Sequence, residues 1–536
     1  MPNDQPKFKV IQKKLLPIEI VTNVSELADQ IESALVLNNA PVFVRGRALV
    51  QPVTKDYDTK KGGKTPTTIL QRLGPQNIAY CVTKYAATFV KRDGRRKDKE
   101  ALTECKAPMD ALISLLTHGD WKMLKSIAGV ITAPTMRPDG SIITHPGYDG
   151  ATRLWLTDDP SLIMPTIPAA PTKQDAEEAL KLLHCLFDEF PFVGVEDRAV
   201  ALAGLLSAIG RGAFVLCPMF MISATTAGTG KSYLVNLISV ILRGLECPVI
   251  TAGRDVAETD KKLASILLEG PTIISIDNCT TDIDTVLLCQ MIEQPYVKVR
   301  ILGQSATPEC EWRGTVFATG NNVGPVGDMV RRSFVCRLDA KCETPETREF
   351  KRPDALQYAF DNRGALIAAC LTIMRAYREA SDKVTRDQCH PLGSFGEWSR
   401  AVREPLIWLG ELDPVKSMVR AREEDSERIR ARTFLQQAQS IFGSSTFTQA
   451  AVVDAANAYD SNGRMGAYRN SELRAVLLEE VMERGGKADT IDPQKIQGWF
   501  RKIKGQWHAG LSLTMATRND RKGARYRIAV ADKAGG

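Results

Sequence analysis

A glycine-rich turn between two apolar segments constrains the fold more than any other feature of this sequence. Residues 219–223 (MFMIS) predict a buried strand, residues 224–232 read ATTAGTGKS, and residues 232–242 predict a helix with apolar side chains on one side. Strand, turn, Gly-Lys-Ser and helix together form the phosphate-loop pattern. Glycines let backbone N–H groups surround phosphate oxygens, and the start of a helix adds positive potential. The sequence therefore predicts an α/β fold that binds a nucleotide.

The side chains of this turn suit ATP and Mg²⁺ as ligands. Lys231 would reach the β- and γ-phosphates, and the Ser232 hydroxyl would bind Mg²⁺. Thr225 stands where the first glycine of the GxxxxGK[ST] pattern would fall. That departure leaves open a structural glycine turn, or a module that binds ATP without hydrolysing it. The residues predicted to bind the nucleotide are Ala227, Gly228, Thr229, Gly230, Lys231, Ser232 and Tyr233.

Two further predicted strands end in polar side chains. Residues 272–276 lead into Asp277, which is expected to bind Mg²⁺ from across the pocket, or otherwise to cap a turn. Residues 315–319 lead into Gly320 and Asn321, whose amide is expected to orient the attacking water. Asn278 supplies no carboxylate to activate that water. The candidates for the base that activates the water are therefore Glu258, Asp282 and Glu293.

Paired arginines follow the third strand. Arg331 and Arg332 precede a predicted strand over residues 334–338. A guanidinium donated to the nucleotide of a neighbouring subunit offsets the charge that develops on the transferred phosphoryl group. Either arginine is therefore a candidate catalytic finger, the alternative being a solvated pair.

Taken in order, several segments resemble the AAA+ ATPase of superfamily-3-type helicases, and more closely the helicase half of prophage and plasmid primase-helicase proteins. The resemblance covers most of the chain from about residue 125, and it implies a ring, usually a hexamer, with nucleotide between subunits and single-stranded DNA in the channel. It implies a phosphate ligand in Lys231, Mg²⁺ ligands in Ser232 and Asp277, a polar sensor in Asn321, and a finger in Arg331 or Arg332. The segments are GVITAPTMRPDGSIITHPGYDGATRLWL, AGTGKSYL, IISIDN, FATGNN, GDMVRRSFVCRLDA and SFGEWSRAVREPLIWLGELDPV.

Basic clusters at residues 55–64 and 91–99 are either solvated loops or contacts of the N-terminal domain with nucleic acid. Two other regions are candidates for contact with DNA. Residues 296–313 predict a hairpin, and in related rings a hairpin at this point contacts the DNA backbone. Its candidate residues are Lys298, Arg300 and Arg313, although Arg300 suits the nucleotide or a neighbouring subunit equally well. Near the C-terminus a helix over residues 494–504 and a basic hairpin predict a winged-helix-like domain, which would dock on duplex origin DNA or serve packing or oligomerisation. Its candidate residues are Lys502 and Arg521.

Composition limits the class of protein. Of 536 residues, 44% are hydrophobic and 25% charged, which excludes a disordered or fibrous chain, and a net charge of +7 permits a polyanionic partner. Twelve cysteines without a CxxC pair predict reduced thiols, no zinc site and a cytoplasmic location. Residues 201–223 imitate a membrane span, but an arginine and a proline within them predict a buried helix and strand instead, with no membrane partner.

The predicted architecture is α/β, with an AAA+ P-loop core between other domains. In the proteins that the chain resembles, a primase domain is often fused upstream of the ATPase. The first 125 residues here show no paired-carboxylate metal motif of the kind a primase needs, so a separate primase is a possible partner. The predicted domains are an N-terminal α+β domain (1–158), a proline-rich linker (159–173), the ATPase core (174–345), a helical region (346–442) and a winged-helix-like basic domain (443–536).

The expected function is that of a ring-forming, ATP-dependent DNA helicase for replication of a phage, plasmid or other mobile element. Two alternatives remain besides the ATP-binding module without turnover. One is an origin-binding initiator or loader with little unwinding activity. The other is a regulatory or defence ATPase that serves as a scaffold for a protein partner.

Overall fold

The computed structural model describes residues 15–58, 64–92, 102–251, 256–279, 285–299, 307–459, 468–519 and 523–531. It is a mixed α/β structure with two compact units. The first unit comprises Met1–Val323 and Arg332–Ser417, and the second comprises Gly324–Arg331 and Met418–Gly536. None of the helices in the described ranges combines the length and the apolar character that crossing a bilayer requires.

The described residues of the N-terminal part of the first unit form small sheets and three α-helices. One face of the first helix, with Leu27, Ile31 and Leu35 spaced four residues apart, is buried together with Leu112 and Leu115 of the third. The helices are α1 Val24–Leu37, α2 Pro75–Cys81 and α3 Met109–Thr117. The strands are β1 Leu16–Glu19, β2 Phe43–Arg45, β3 Ala48–Asp58, β4 Lys64–Arg72, β5 Ala87–Arg92, β6 Leu102–Cys105, β7 Gly129–Ile131, β8 Thr135–Met136, β9 Ile142–Ile143, β10 Gly147–Asp149 and β11 Leu154–Leu156.

A five-stranded parallel sheet forms the centre of the first unit. Its strands are β12 Met219–Ala224, β13 Val249–Thr251, β14 Ile273–Cys279, β17 Thr315–Asn321 and β18 Ser333–Leu338, in the order β13-β14-β17-β12-β18. Two short strands, β15 Tyr296–Lys298 and β16 Glu309–Glu311, pair separately. The helices are α4 Lys173–Phe187, α5 Val195–Ile209, α6 Lys231–Arg243, α7 Val256–Glu269, α8 Val286–Glu293, α9 Ala355–Asp361, α10 Arg363–Ala380, α11 Lys383–Gln388, α12 Gly396–Trp398 and α13 Glu404–Trp408.

The apolar run of residues 201–223 is divided between α5 and β12, as predicted. Every residue of β12 is buried, because it has a neighbouring strand on each side and helix α6 packs against it. Parallel strands have their carboxyl ends at one edge. The residues after β12, β14 and β17 therefore meet there.

The N-terminal part packs directly on the central sheet region. The buried Arg45 side chain donates hydrogen bonds to the carbonyl oxygens of Ala128 (2.6 Å) and of Leu267 in α7 (2.7 Å). Burial lowers the pKa of this guanidinium below its usual value. The predicted linker is also anchored, because Asp159 forms an ion pair of 3.0 Å with Arg363 at the start of α10. Residues 159–173 are thus packed at their first end rather than a free spacer.

The second unit combines helices with a four-stranded antiparallel sheet. The helices are α14 Val415–Glu424, which starts in the first unit, α15 Ser426–Phe442, α16 Gln449–Asn457, α17 Ser471–Glu483 and α18 Pro493–Ile503. The strands are β19 Phe447–Thr448, β20 Trp507–His508, β21 Leu511–Asn519 and β22 Gly523–Val530, in the order β19-β22-β21-β20. This unit begins well before the predicted boundary at residue 443. The reason is that Phe434 of α15 packs on Trp499 and Phe500 of α18, with ring centroids 5.2 and 4.9 Å apart.

The core of the second unit depends on Trp499. This side chain is fully buried in the predicted apolar face of α18, beside Ile496, Phe500 and Ile503. We expect Trp499→Ala to lower the free energy of unfolding of this unit by about 3–5 kcal/mol, because it leaves a large cavity. Chemical denaturation followed by circular dichroism measures the loss. Trp507→Ala, at a tryptophan that is 52% exposed, is the matched control and should cost little.

Candidate nucleotide-binding site

The loop between β12 and α6 has the backbone of an anion-binding turn. Gly228 and Gly230 have φ values of +76° and +102°, which residues with a Cβ rarely adopt. Thr229 is buried, and its hydroxyl donates a hydrogen bond of 2.8 Å to the carbonyl oxygen of Thr226, which closes the loop on itself. Thr225 has no positive φ, so the backbone does not require a glycine at the position where the sequence departs from the pattern.

Lys231, the first residue of α6, extends over this loop. Its Nζ donates hydrogen bonds to Oδ1 of Asn321 (2.6 Å) and to the carbonyl oxygen of Thr226 (3.1 Å). Partial burial lowers the pKa of Lys231 below its usual value, against the opposing effect of the nearby Asp277 carboxylate. Two predicted site residues, Lys231 and Asn321, are therefore in direct contact.

Asp277 lies across the same edge of the sheet and receives two hydroxyl groups. Ser232 Oγ donates to its Oδ1 at 3.0 Å, and the buried Thr319 hydroxyl donates to the same oxygen. Thr319 also accepts the backbone N–H of Asn278 at 3.3 Å, and Asn278 has a positive φ of 54°. Sequence reasoning missed Thr319, which lies two residues before Asn321 in the buried strand that ends there.

The strand order explains how these residues meet. Strand β17 lies between β12 and β14, so Asn321 at its end falls between the loop after β12 and Asp277 on β14. The Ser232 hydroxyl and the Asp277 carboxylate are oxygen donors of the kind that Mg²⁺ prefers. No group of three or more His, Cys, Asp or Glu residues in the described ranges is arranged to hold a metal. A bound cation here would therefore take its remaining ligands from phosphate or water.

A cavity of about 240 Å³ adjoins the glycine loop. Phe190 and Tyr233 contribute aromatic rings to its wall, with ring centroids 6.2 Å apart. The segment containing Arg348 and Arg352 forms another wall and is fixed by Glu189, whose Oε2 accepts the backbone N–H of Arg352 at 2.9 Å. The cavity therefore combines aromatic rings with both arginine and glutamate side chains beside the loop.

The two arginines of the predicted finger differ in their surroundings. Arg332 is buried and forms an ion pair with Glu293 of α8. The Arg331 side chain is 52% exposed and forms an ion pair of 2.8 Å with Asp328, three residues earlier. Of the candidate bases, Glu293 is thus engaged by Arg332, Glu258 pairs with Lys262 at 3.3 Å, and Asp282 lies outside the described residues.

The side chains predicted to contact DNA also differ in their solvent exposure. Lys298, at the end of β15, is exposed, and the Lys502 side chain is 55% exposed while paired with Glu427 at 2.8 Å. The Arg313 side chain is only 9% exposed. Its guanidinium donates hydrogen bonds to Glu311 and to the carbonyl oxygen of Phe214. This burial corrects the predicted DNA contact of Arg313, and Arg300 and Arg521 lie outside the described residues.

Comparison with known proteins finds similar solved structures, at low sequence identity. No family model matches the sequence, and no curated protein matches it. Among solved structures, the A form apo structure of the NrS-1 C-terminal region is similar at 13% identity with a TM-score of 0.35, over 83% of this chain and 97% of that chain. A second structure, the A form apo structure of the NrS-1 C-terminal region (305–718), gives 12% identity and a TM-score of 0.33, over 89% of this chain and 96% of that chain.

Proposed function

We propose that this protein is an ATP-dependent DNA helicase or translocase that serves replication of a mobile element. One observation carries the proposal: Lys231, Ser232, Asp277 and Asn321 converge on a glycine loop at the carboxyl edge of a parallel sheet. This constellation suits phosphoryl transfer, in which positioning and charge stabilisation provide most of the catalysis.

Each residue has a role that its position supports. The backbone N–H groups of residues 228–232 and the Lys231 ammonium bind the phosphates of ATP. Ser232 and Asp277 are the residues that would hold Mg²⁺, which supplies charge neutralisation on the phosphates when bound. Asn321 orients the attacking water through its amide. When the triphosphate enters, Lys231 exchanges its contacts with Asn321 and Thr226 for phosphate oxygens, which frees the amide for that task.

The base of the nucleotide belongs, on this proposal, in the cavity of about 240 Å³ beside the loop. Phe190 and Tyr233 offer apolar surface for the base, and Tyr233 was predicted as a nucleotide contact. The Tyr233 hydroxyl is held by the backbone N–H groups of Ala355 (3.1 Å) and Leu356 (3.3 Å), which fixes its ring. A rigid aromatic wall lowers the entropy lost on binding.

We further propose that the protein forms a ring, by expectation a hexamer, in which a neighbouring subunit completes each nucleotide site. Arg331 is the better finger, because it is exposed and its partner Asp328 is exposed as well. A surface pair of this kind separates at little free-energy cost. Head-to-tail contacts that close into a ring suit a site with residues from two subunits.

The proposed DNA contacts come from both units. Lys298 would contact single-stranded DNA in the ring channel. The second unit has helices followed by the long β21–β22 hairpin, which suits a winged-helix-like module for duplex origin DNA, with Lys502 on its surface. A cytoplasmic location and a separate primase as partner belong to the same proposal.

Steady-state ATP hydrolysis with and without single-stranded DNA, followed by strand displacement on a forked duplex, tests this function. We expect stimulation by single-stranded DNA and displacement that requires ATP. Hydrolysis without displacement would favour the initiator or loader, particularly if the protein binds one duplex sequence selectively. Stimulation by a protein instead of DNA would favour the scaffold, and ATP binding without turnover would favour the inactive module.

Thr319 offers a separate test of the metal side of the site. We expect Thr319→Val to raise the Mg²⁺ concentration for half-maximal ATP hydrolysis by about 10-fold or more, because it removes a hydroxyl that orients Asp277. Valine has nearly the same shape, so the fold should persist. Thr385→Val, at another buried threonine of the first unit, is the control and should leave the Mg²⁺ requirement unchanged. An unchanged requirement in Thr319→Val would remove this residue from the metal site.

A further inference from the structure

A second cavity, of about 460 Å³, lies near the opposite edge of the central sheet from the glycine loop. Ala213, in its wall, precedes β12, whereas the glycine loop follows the carboxyl end of that strand. The neighbouring Phe214 carbonyl oxygen accepts a hydrogen bond of 2.9 Å from Arg313, just before β17. The cavity is therefore distinct from the candidate nucleotide site.

The floor of this cavity is apolar and its rim is basic. Met136, Met374 and Ala401 contribute to the floor, and each is buried. Three exposed arginines line the rim, and in the part of the chain that the structure describes none of them forms an ion pair with a carboxylate. They are Arg378, Arg386 and Arg400. Two carboxylates lie near these arginines: Glu397 lines the cavity and accepts the backbone N–H of Val215 at 3.2 Å, and Asp139 interacts electrostatically with Arg378.

The position of Arg378 is set by a glycine. Gly140 has a φ of +90°, and a Cβ at this residue would lie 2.5 Å from Cδ and 2.6 Å from Nε of Arg378. The outer part of the Arg378 side chain therefore lies directly on the turn between β8 and β9, which places its guanidinium beside the cavity. A cation held in place loses less conformational entropy when it binds an anion.

We propose that this cavity docks an acidic peptide segment of a partner protein. An apolar side chain of the segment packs against Pro138, which is exposed at the edge of the buried floor, and flanking carboxylates meet the three arginines. Nucleic acid suits the site less well, because the only aromatic ring in the lining, Tyr377, is 3% exposed and offers no platform for stacking a base. The Tyr377 hydroxyl is in turn committed to Glu404 at 2.8 Å. This docking site goes beyond the proposed function and does not depend on the nucleotide site.

Selection from a random twelve-residue peptide library on the full-length protein tests the proposal. The double variant R378E/R400E serves for counter-selection. We expect the enriched peptides to combine two or more acidic residues with an apolar one. The same peptides, labelled with fluorescein, should lose about 10-fold or more in affinity to R378E/R400E by fluorescence anisotropy, because each reversal replaces attraction by repulsion.

Two further variants keep this test decisive. The neutral pair R378Q/R400Q removes charge without touching the floor, so a folded R378Q/R400Q protein with weakened binding supports the site even where R378E/R400E is unstable. Arg72→Glu, at an exposed arginine outside the cavity, should bind the peptides as the unchanged protein does. Enrichment of peptides without acidic residues, or unchanged affinity in R378Q/R400Q, overturns the proposal. Competition by oligothymidylate for the selected peptides overturns it in favour of nucleic acid.

Discussion

Lys231→Ala is expected to reduce kcat for ATP hydrolysis by about 10²–10³-fold or more, because it removes the cation that stabilises charge on the transferred phosphoryl group. The same change should not weaken the fold. Partial burial already lowers the pKa of Lys231, which means that the folded structure disfavours its charged form. We therefore expect the thermal midpoint without nucleotide to stay within about 2 °C of the original value. Steady-state hydrolysis and thermal unfolding measure the two quantities.

The control for this prediction is another lysine of the first unit. Lys181→Ala, at an exposed position on α4, should retain full hydrolysis. A further readout separates binding from catalysis. ATP should raise the thermal midpoint of the unchanged protein, since a ligand that binds the folded state stabilises it, and Lys231→Ala should lose most of that shift. Full hydrolysis in Lys231→Ala would exclude the glycine loop as the site of turnover.

The strand-end residues were predictable from sequence for a physical reason. A buried parallel strand reads as a continuous apolar run, and its carboxyl end is marked by the first polar residue after that run. Asp277 and Asn321 both follow such runs, and the structure places both at the same edge as Lys231. Thr319 was missed because a threonine inside a buried run reads as a strand residue, and only the fold shows its hydroxyl on Asp277.

Contacts between segments distant in sequence were beyond sequence reasoning. Helical periodicity predicts α15 but not its partner, so the assignment of this helix to the second unit rests on the packing of Phe434 against Trp499. The partners of buried arginines are likewise not predictable from the sequence. Arg313 and Arg332 look like surface cations in sequence, yet each meets a carboxylate inside the fold, Glu311 and Glu293 respectively.

The two finger candidates differ in exposure, since Arg331 lies at the surface and Arg332 is buried, and this difference can be tested. Arg331→Ala is expected to lower kcat for ATP hydrolysis by about 10³-fold while ATP binding and folding persist, since the side chain is exposed. If Arg331 acts on a neighbouring subunit, mixing Arg331→Ala with Lys231→Ala protein should restore turnover. A site is complete when an Arg331→Ala subunit contributes Lys231 and its Lys231→Ala neighbour contributes Arg331. Random assembly makes about a quarter of the sites complete. Absence of recovery in mixed rings would mean that Arg331 does not act in trans.

Arg332→Ala is also expected to reduce ATP hydrolysis, but because it lowers the stability of the fold. It leaves the Glu293 carboxylate, whose side chain is 12% exposed, without its ion-pair partner Arg332. Breaking a buried pair from one side costs about 3–5 kcal/mol, whereas replacing both partners by neutral groups of similar volume is often tolerated. We therefore expect the single variant to unfold at lower denaturant concentration and the double variant Arg332→Met/Glu293→Gln to recover both stability and hydrolysis. A double variant that regains stability but not turnover would assign a catalytic role to one member of the pair, and retained turnover in Glu293→Gln alone would then assign that role to Arg332.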